Sequence, residues 1–266
     1  MQTTDRGSEL ARWAPVYPPA PQVEQTTVNG VDDWYYPVLV TAEMLGRRAT
    51  AACTVRRVQA LYDILEEDAY IAVLKRFYAT GLERFGDAWL YADLVTAACA
   101  SAEVLRPAAY LEIGVRRGRS MAAVALAVPD CEFVGFDRWT PNYAGMPNPG
   151  PEFVRAELQR VGHRGTVELI SGNSHQTVPA YFEANPDAFF DLIVVDGDHS
   201  NQGAAEDIAC VLPRLKVGGA ILFDDISHFK HTLIEVWRHF FLDNPRFSAW
   251  EFRDLGYGVG IAVRRF

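Results

Sequence analysis

The sequence has no cationic surplus, no long apolar run and no paired cysteines, and each absence removes a class of protein. Its 266 residues carry 25 Lys and Arg against 34 Asp and Glu, a formal charge of −9. Neutralising a phosphate backbone takes a surplus or a stripe of cations. The densest basic cluster, Arg116, Arg117 and Arg119, lies instead inside a glycine-bearing turn, so no nucleic acid is expected as the main partner. No apolar stretch approaches the ~20 residues of a membrane helix, and the opening MQTTDRGSEL is too polar for a secretory signal. A soluble, cytoplasmic protein with no membrane partner is expected. Cys53, Cys99, Cys131 and Cys210 form no C-x-x-C pair and sit among apolar neighbours, which favours buried free thiols over disulfides or zinc. There is no internal repeat and no low-complexity tract.

What is present is an ordinary globular composition, 49% hydrophobic and 22% charged, enough for a real core without staples. Three stretches differ in character. Residues 1–40 mix Pro15, Pro18, Pro19, Pro21 and Pro37 with Trp13, Tyr17, Trp34, Tyr35 and Tyr36. Proline forbids long helix there while the aromatics need burial. This arm packs on its own domain, exchanges with a neighbouring subunit in a homo-oligomer, or covers the active site. Residues 41–106 have little glycine or proline and a helical spacing, as in Val58, Leu61, Tyr62 and Leu65. They predict a preface of about three helices, the later ones divided by Gly81 and Gly86.

From residue 107 to 266 short apolar runs alternate with amphipathic segments, the pattern of an α/β, doubly wound, mostly parallel sheet. Strands are predicted at Ala109–Ile113, Glu132–Phe136, Thr166–Ile170, Leu192–Val195 and Ala220–Phe223, the last entered through a turn at Gly218–Gly219. Two further runs, Phe247–Phe252 and Tyr257–Val263, are joined by a link too short for a parallel crossover and form an antiparallel hairpin. That makes five parallel strands and a reversed terminal pair.

The chemistry gathers where these strands end. Glu112, Ile113 and Gly114 close the first strand, and Gly118 precedes a helix beginning at Ser120. Such a turn lets backbone approach a ligand and presents helix N-terminal amides. Arg116 stands where a dinucleotide fingerprint needs its second glycine, which favours a nucleoside cofactor without pyrophosphate. Asp137 ends the second strand, nineteen residues beyond Gly118, the place from which an acid accepts ribose hydroxyls. Asn173 and Ser174 offer small polar groups after the third strand, or simply cap a helix. Asp196 and Asp224 terminate the fourth and fifth strands. Neighbouring strands lie about 4.8 Å apart, so Asp196, Asp224 and Asp225 should converge, and three close carboxylates repel unless a cation joins them. Oxygen ligands point to Mg²⁺, with Mn²⁺ or Ca²⁺ as alternatives. His199, three residues past Asp196, stands where a base could take a proton from a bound hydroxyl. Asp198 reads as loop geometry, His228 and His231 as substrate-bordering or helix-starting groups, and His163, His175 and His239 as structural or solvated. The loop 138–151, with four prolines, forms an acceptor wall or a rigid surface loop.

The segments YLEIGVRRGRS, VVDGDHS and ILFDD resemble those of class I S-adenosylmethionine-dependent methyltransferases, and more narrowly the magnesium-dependent sugar O-methyltransferases of the macrocin and mycinamicin type. The resemblance covers residues 107–266. It implies a Rossmann-like seven-stranded sheet with a reversed terminal strand. It also implies S-adenosylmethionine and Mg²⁺ as cofactors, and a small-molecule hydroxyl acceptor on a glycosylated natural product. Glu112, Gly114 and Gly118 would hold the methionine part of the cofactor and Asp137 its ribose. Ser120, Asn173, Ser174 and Asp196, at the same strand ends, are read as further cofactor-binding residues. Asp196, Asp224 and Asp225 would be the metal ligands and His199 the general base. Two other readings stay open: a nicotinamide-dependent oxidoreductase, and a non-catalytic assembly protein that binds the cofactor without turnover.

Overall fold

A computed structural model describes residues 10–28, 38–230 and 232–266. The aromatics Trp34, Tyr35 and Tyr36, together with Pro37 and His231, lie outside the described residues. Four helices, α1 (Ala42–Ala49), α2 (Ala52–Ile64), α3 (Ala69–Phe85) and α4 (Leu94–Leu105), lead into β1 (Ala109–Ile113). Then follow α5 (Arg119–Ala127), β2 (Glu132–Asp137), α6 (Pro151–Arg160), β3 (Val167–Ser171), α7 (Ser174–Ala184), β4 (Phe190–Val195) and α8 (Asn201–Val211). The chain finishes with β5 (Leu215–Asp224), α9 (Leu233–Trp237) continued by a π-helical turn, β6 (Phe247–Phe252) and β7 (Val259–Arg264).

The preface has four helices where three are expected. Thr41, Asp68 and Asp93 each accept an amide of the following first turn, and such caps start new helices without glycine or proline. Gly81 does not divide anything. It sits inside α3, and a Cβ there would lie 2.3 Å from the Trp89 ring, so glycine lets the indole close on the helix.

The seven strands lie in the order β3-β2-β1-β4-β5-β7-β6. β1 to β5 are parallel, while β7 is antiparallel to both β5 and β6. Only β7 is therefore reversed. The expected reversed pair is corrected at β6, which returns to the direction of the parallel strands because the hairpin docks through its second strand. Leu111, Ile113, Ile193 and Ile221 bury one face of the sheet against α7, α8 and α9, and Tyr110, Leu192, Val194 and Leu222 bury the other against α4 and α5. Alanines at 97, 98, 100 and 102 let α4 lie close to the sheet.

β5 begins at Leu215, before the predicted turn at Gly218–Gly219. What extends it is the arm: the Val23 amide donates to the Val217 carbonyl at 2.9 Å and the Val217 amide to the Pro21 carbonyl at 3.0 Å. Thr26 Oγ1 donates to the Gly218 carbonyl at 2.9 Å, and Tyr17 lies against the guanidiniums of Arg246 and Arg264. The described arm thus packs on its own domain at the N-terminal ends of the strands, remote from their carboxyl ends. The thiols are free, as expected, but only Cys99 and Cys131 are buried; Cys210 is partly buried and Cys53 exposed. Among the described residues no helix is long and apolar enough to cross a membrane.

Candidate active site

The carboxyl ends of β1 and β2 build one half of the site from backbone geometry. Gly114 has φ +92°, and a Cβ there would lie 1.9 Å from the Asp196 carbonyl oxygen, so any side chain would push β4 away. Arg116 adopts φ +51°, doing with a side chain what the missing glycine of the fingerprint does without one. Its amide donates to Asp137 Oδ2 at 2.6 Å, and the Trp139 amide to Asp137 Oδ1 at 2.5 Å. Asp137 is thereby fixed beside the turn, with further lone pairs on both oxygens. Gly118, at φ +70°, leads into α5.

Beneath the turn Glu112 is fully buried. Ser120 Oγ donates to one of its oxygens and Tyr110 Oη to the other. Burial pushes its pKa up to about 8 against the pull of those two donors. Asn173 stands at the N-cap position of α7 without a capping side-chain bond, and Ser174 is the first residue of that helix. The pairing of Asp137 with Ser171 brings this segment to the same end of the sheet as Gly114. All eight cofactor residues read from the sequence therefore flank the carboxyl ends of β1 to β4.

The other half is acidic. The register Val195↔Phe223 sets Asp196 and Asp224 side by side at adjacent strand ends. Asp225 turns away at φ +59° and joins Asp196 and His199 in a group whose ligand atoms all lie within 4.8 Å. His199 Nε2 is 3.3 Å from Asp196 Oδ1 and 3.7 Å from Asp225 Oδ2. The hydrogen bond to Asp196, and the charges of Asp196, Asp225 and Asp198, raise the His199 pKa although burial lowers it. Burial and the Asp196 charge raise Asp225 to about 6, and burial with both neighbouring acids holds Asp224 well above the carboxylate range. Two carboxylates and an imidazole form a donor set that fits a divalent cation. Asp224, expected in the trio, stands outside that compact group, and His199 stands within it.

Other histidines fall into place. His163 contacts the Cys131 carbonyl at 2.8 Å and stacks on Phe133, a structural role. His175 lies 3.5 Å from Asp207. His228 packs between Phe229 and Tyr257 on loops that follow β5 and β6, three residues from Asp225. Asp198 accepts the Ser200 amide at 2.7 Å, loop geometry as read. In the loop 138–151, Arg116 Nη2 reaches the Tyr143 carbonyl at 3.4 Å, which ties that loop to the turn.

Sequence reasoning missed what the preface contributes. A cavity of about 120 Å³ opens between the two halves, and Tyr62, Tyr70 and Asp93 line it together with Arg119, Asp196 and Asp224. Tyr78 donates to Asp93, while the Asp93 side chain caps α4. The cap at Asp93 is a local signal that could have marked α4, but nothing local tells that the preface folds over the turn. A wider surface depression of about 530 Å³ between Arg57, Glu103 and Arg106 shares no residue with this site.

A seven-stranded sheet with one reversed strand, a glycine turn after β1 and an acid ending β2 define the fold of class I S-adenosylmethionine-dependent methyltransferases. Residues 111–226 match the family described as Methyltransferase domain, the activity that the motifs imply. Among solved structures it is similar to TomG, an O-methyltransferase from Streptomyces achromogenes involved in tomaymycin synthesis and solved in complex with S-adenosylmethionine. The TM-score is 0.53 at 20% identity, over 76% of this chain and 92% of that one. It is also similar to an O-methyltransferase from Bacillus cereus in complex with S-adenosylhomocysteine, with TM-score 0.50 and 18% identity over 80% and 91% of the two chains. A third similar structure is the calicheamicin methyltransferase CalS11, at TM-score 0.50 and 20% identity over 79% and 91%. At these identities the likeness is one of fold. No curated protein matches the sequence. The methyltransferase match sets aside the nicotinamide-dependent alternative.

Proposed function

We propose that the protein is a metal-dependent O-methyltransferase that moves a methyl group from S-adenosylmethionine to a hydroxyl of a small, uncharged molecule, a sugar of a glycosylated natural product. The observation that carries this reading is the convergence of Asp196, His199 and Asp225 within 4.8 Å, at the strand ends that also bear the cofactor turn. A methyl donor needs no acid cluster to react. An acceptor hydroxyl does need to be oriented and deprotonated.

When bound, the donor supplies a methyl already activated on a sulfonium, and a divalent cation lowers the pKa of a hydroxyl it touches. Asp196 and Asp225 would hold that cation, with Asp224 at the adjacent strand end as a third carboxylate. His199, beside both carboxylates, would take the hydroxyl proton. Asp137 and the turn from Gly114 to Ser120 hold and orient the cofactor, and much of the acceleration comes from placing the two reactants in line. The exposed rings of Phe229 and Tyr257, on loops beside the acids, offer an apolar platform suited to a neutral acceptor. A cytoplasmic location and a homo-oligomeric state belong to the same proposal.

The test is a methyl-transfer assay with labelled donor against glycosylated and phenolic acceptors, with EDTA and then with Mg²⁺ or Mn²⁺ added back. Metal-dependent labelling of a sugar hydroxyl is expected. Tight S-adenosylhomocysteine binding without turnover on any acceptor would favour the non-catalytic assembly reading.

A further inference from the structure

The turn that opens α5 concentrates charge. Arg116, Arg117 and Arg119 place three guanidiniums within four positions, all lining the cavity at which, in the reading above, a donor with net charge +1 must bind. Arg116 is led outward, its guanidinium 5.3 Å over the Tyr143 ring. Arg117 and Arg119 remain inside, their side chains 7% and 10% exposed. Both converge on one carboxylate from the preface. Asp68 Oδ2 lies 2.9 Å from Arg117 Nε and 2.5 Å from Arg119 Nη2, and Glu66 stands 3.6 Å from Arg117. Asp68 Oδ1 meanwhile accepts the Ile71 amide at 2.8 Å and caps α3. Tyr70, in the first turn of that helix, lies 5.1 Å beneath the Arg119 guanidinium and lines the cavity. Burial raises the Asp68 pKa, but the Ile71 amide and the two arginines outweigh it and hold the carboxylate below its ordinary range.

We propose that Asp68 is a positioning residue for the cofactor turn: it neutralises Arg117 and Arg119, so that the turn accepts a cationic methyl donor, and it anchors α3 across that turn. This rests on the S-adenosylmethionine reading. In a partly buried cleft, charges are weakly screened, and without Asp68 Arg119 would stand uncompensated and Arg117 would keep only the more distant Glu66, so the pair would repel the sulfonium of the donor. The demethylated product has lost that sulfonium and is neutral overall. Asp68 therefore acts on the discrimination between donor and product, which a helix cap alone does not touch.

Asp68→Asn separates the two roles, because asparagine caps a helix as well as aspartate does but carries no charge. Calorimetry on the full chain with S-adenosylmethionine and with S-adenosylhomocysteine is the readout. Asp68→Asn should weaken the donor about tenfold or more and the product about threefold or less. Asp68→Asn combined with Arg119→Met should recover most of the loss for the donor. Arg119→Met alone leaves the cap untouched and should shift preference toward the donor, which keeps the proposal testable even if Asp68→Asn folds poorly. Equal weakening of both ligands, or an unchanged preference in every variant, overturns the role of Asp68. Wild-type protein that binds neither ligand overturns the cofactor reading itself.

Discussion

His199 Nε2 sits 3.3 Å from Asp196 Oδ1, with Asp225 Oδ2 0.4 Å further away, at 3.7 Å. One ring nitrogen thus faces both carboxylates, and as an imidazolium it supplies the positive charge that two converging acids require. Once it gives up that proton, a group so placed can hand its site to a cation and, as a neutral imidazole, take a proton from a hydroxyl beside it.

His199→Ala should lower kcat by roughly 10²–10⁴, the range for losing a general base, and leave S-adenosylhomocysteine affinity nearly intact. Steady-state rates between pH 6 and 9 with parallel calorimetry check this. A rate within a few-fold of wild type would return His199 to an ordinary loop residue.

EDTA should abolish methyl transfer, and Mg²⁺ or Mn²⁺ should restore it. Asp225→Ala and Asp224→Ala should each remove most activity while the protein stays folded and still binds cofactor, since the donor is held mainly from β1 and β2. Comparing the two variants decides whether Asp224 is a ligand: an Asp224→Ala enzyme with wild-type metal affinity assigns it to the cavity wall.

Asp137→Ala should weaken cofactor binding by about 1–3 kcal/mol through the lost acceptor for ribose hydroxyls. The same carboxylate also holds the amides of Arg116 and Trp139, so Asp137→Asn, which keeps one acceptor oxygen, should fall between wild type and alanine. Unchanged S-adenosylhomocysteine affinity in the alanine variant would sink the assignment.

Glu112 predicts a pH dependence of stability. Its folded pKa is raised to about 8 from the ordinary 4.5, so between those values the folded state holds a proton that the unfolded state has released. Stability is then full below the unfolded pKa and declines as pH rises through the folded one, by roughly 3–5 kcal/mol in all. Denaturant midpoints measured from pH 5 to pH 8.5 should fall for the wild type. Glu112→Gln, which still offers one acceptor and one donor to Ser120 and Tyr110, should flatten the profile. A flat wild-type profile would refute the buried neutral acid.

The sheet was legible because each parallel strand is an apolar run bounded by polar turns; β1 begins and ends where its sequence says. β5 was read too short because Lys216 and Gly218 look like a turn, and it is long-range pairing, with Phe190 of β4 and with Pro21 and Val23 nearly two hundred residues earlier, that makes that stretch a strand. At the site, the strand-end acids announced themselves by position, and their adjacency follows from register. That His199 rather than Asp224 completes the compact group depends on the left-handed backbone at Asp225, which a non-glycine residue does not advertise. Tyr62, Tyr70 and Asp93 were invisible for a different reason: nothing in their own neighbourhoods records that the preface folds back over a turn formed later in the chain.

The pairing of the arm with β5 has a consequence for how the chain reaches its native state. The bond from Thr26 to Gly218 spans 192 residues, and closing so long a loop is entropically costly until the rest of the sheet exists to receive it. The arm should therefore dock late, as a clasp on an already formed sheet. Substitutions such as Thr26→Val or Tyr17→Ala should then accelerate unfolding while leaving the refolding rate nearly unchanged. The native lifetime of the domain would be set at the end of the sheet where no chemistry takes place.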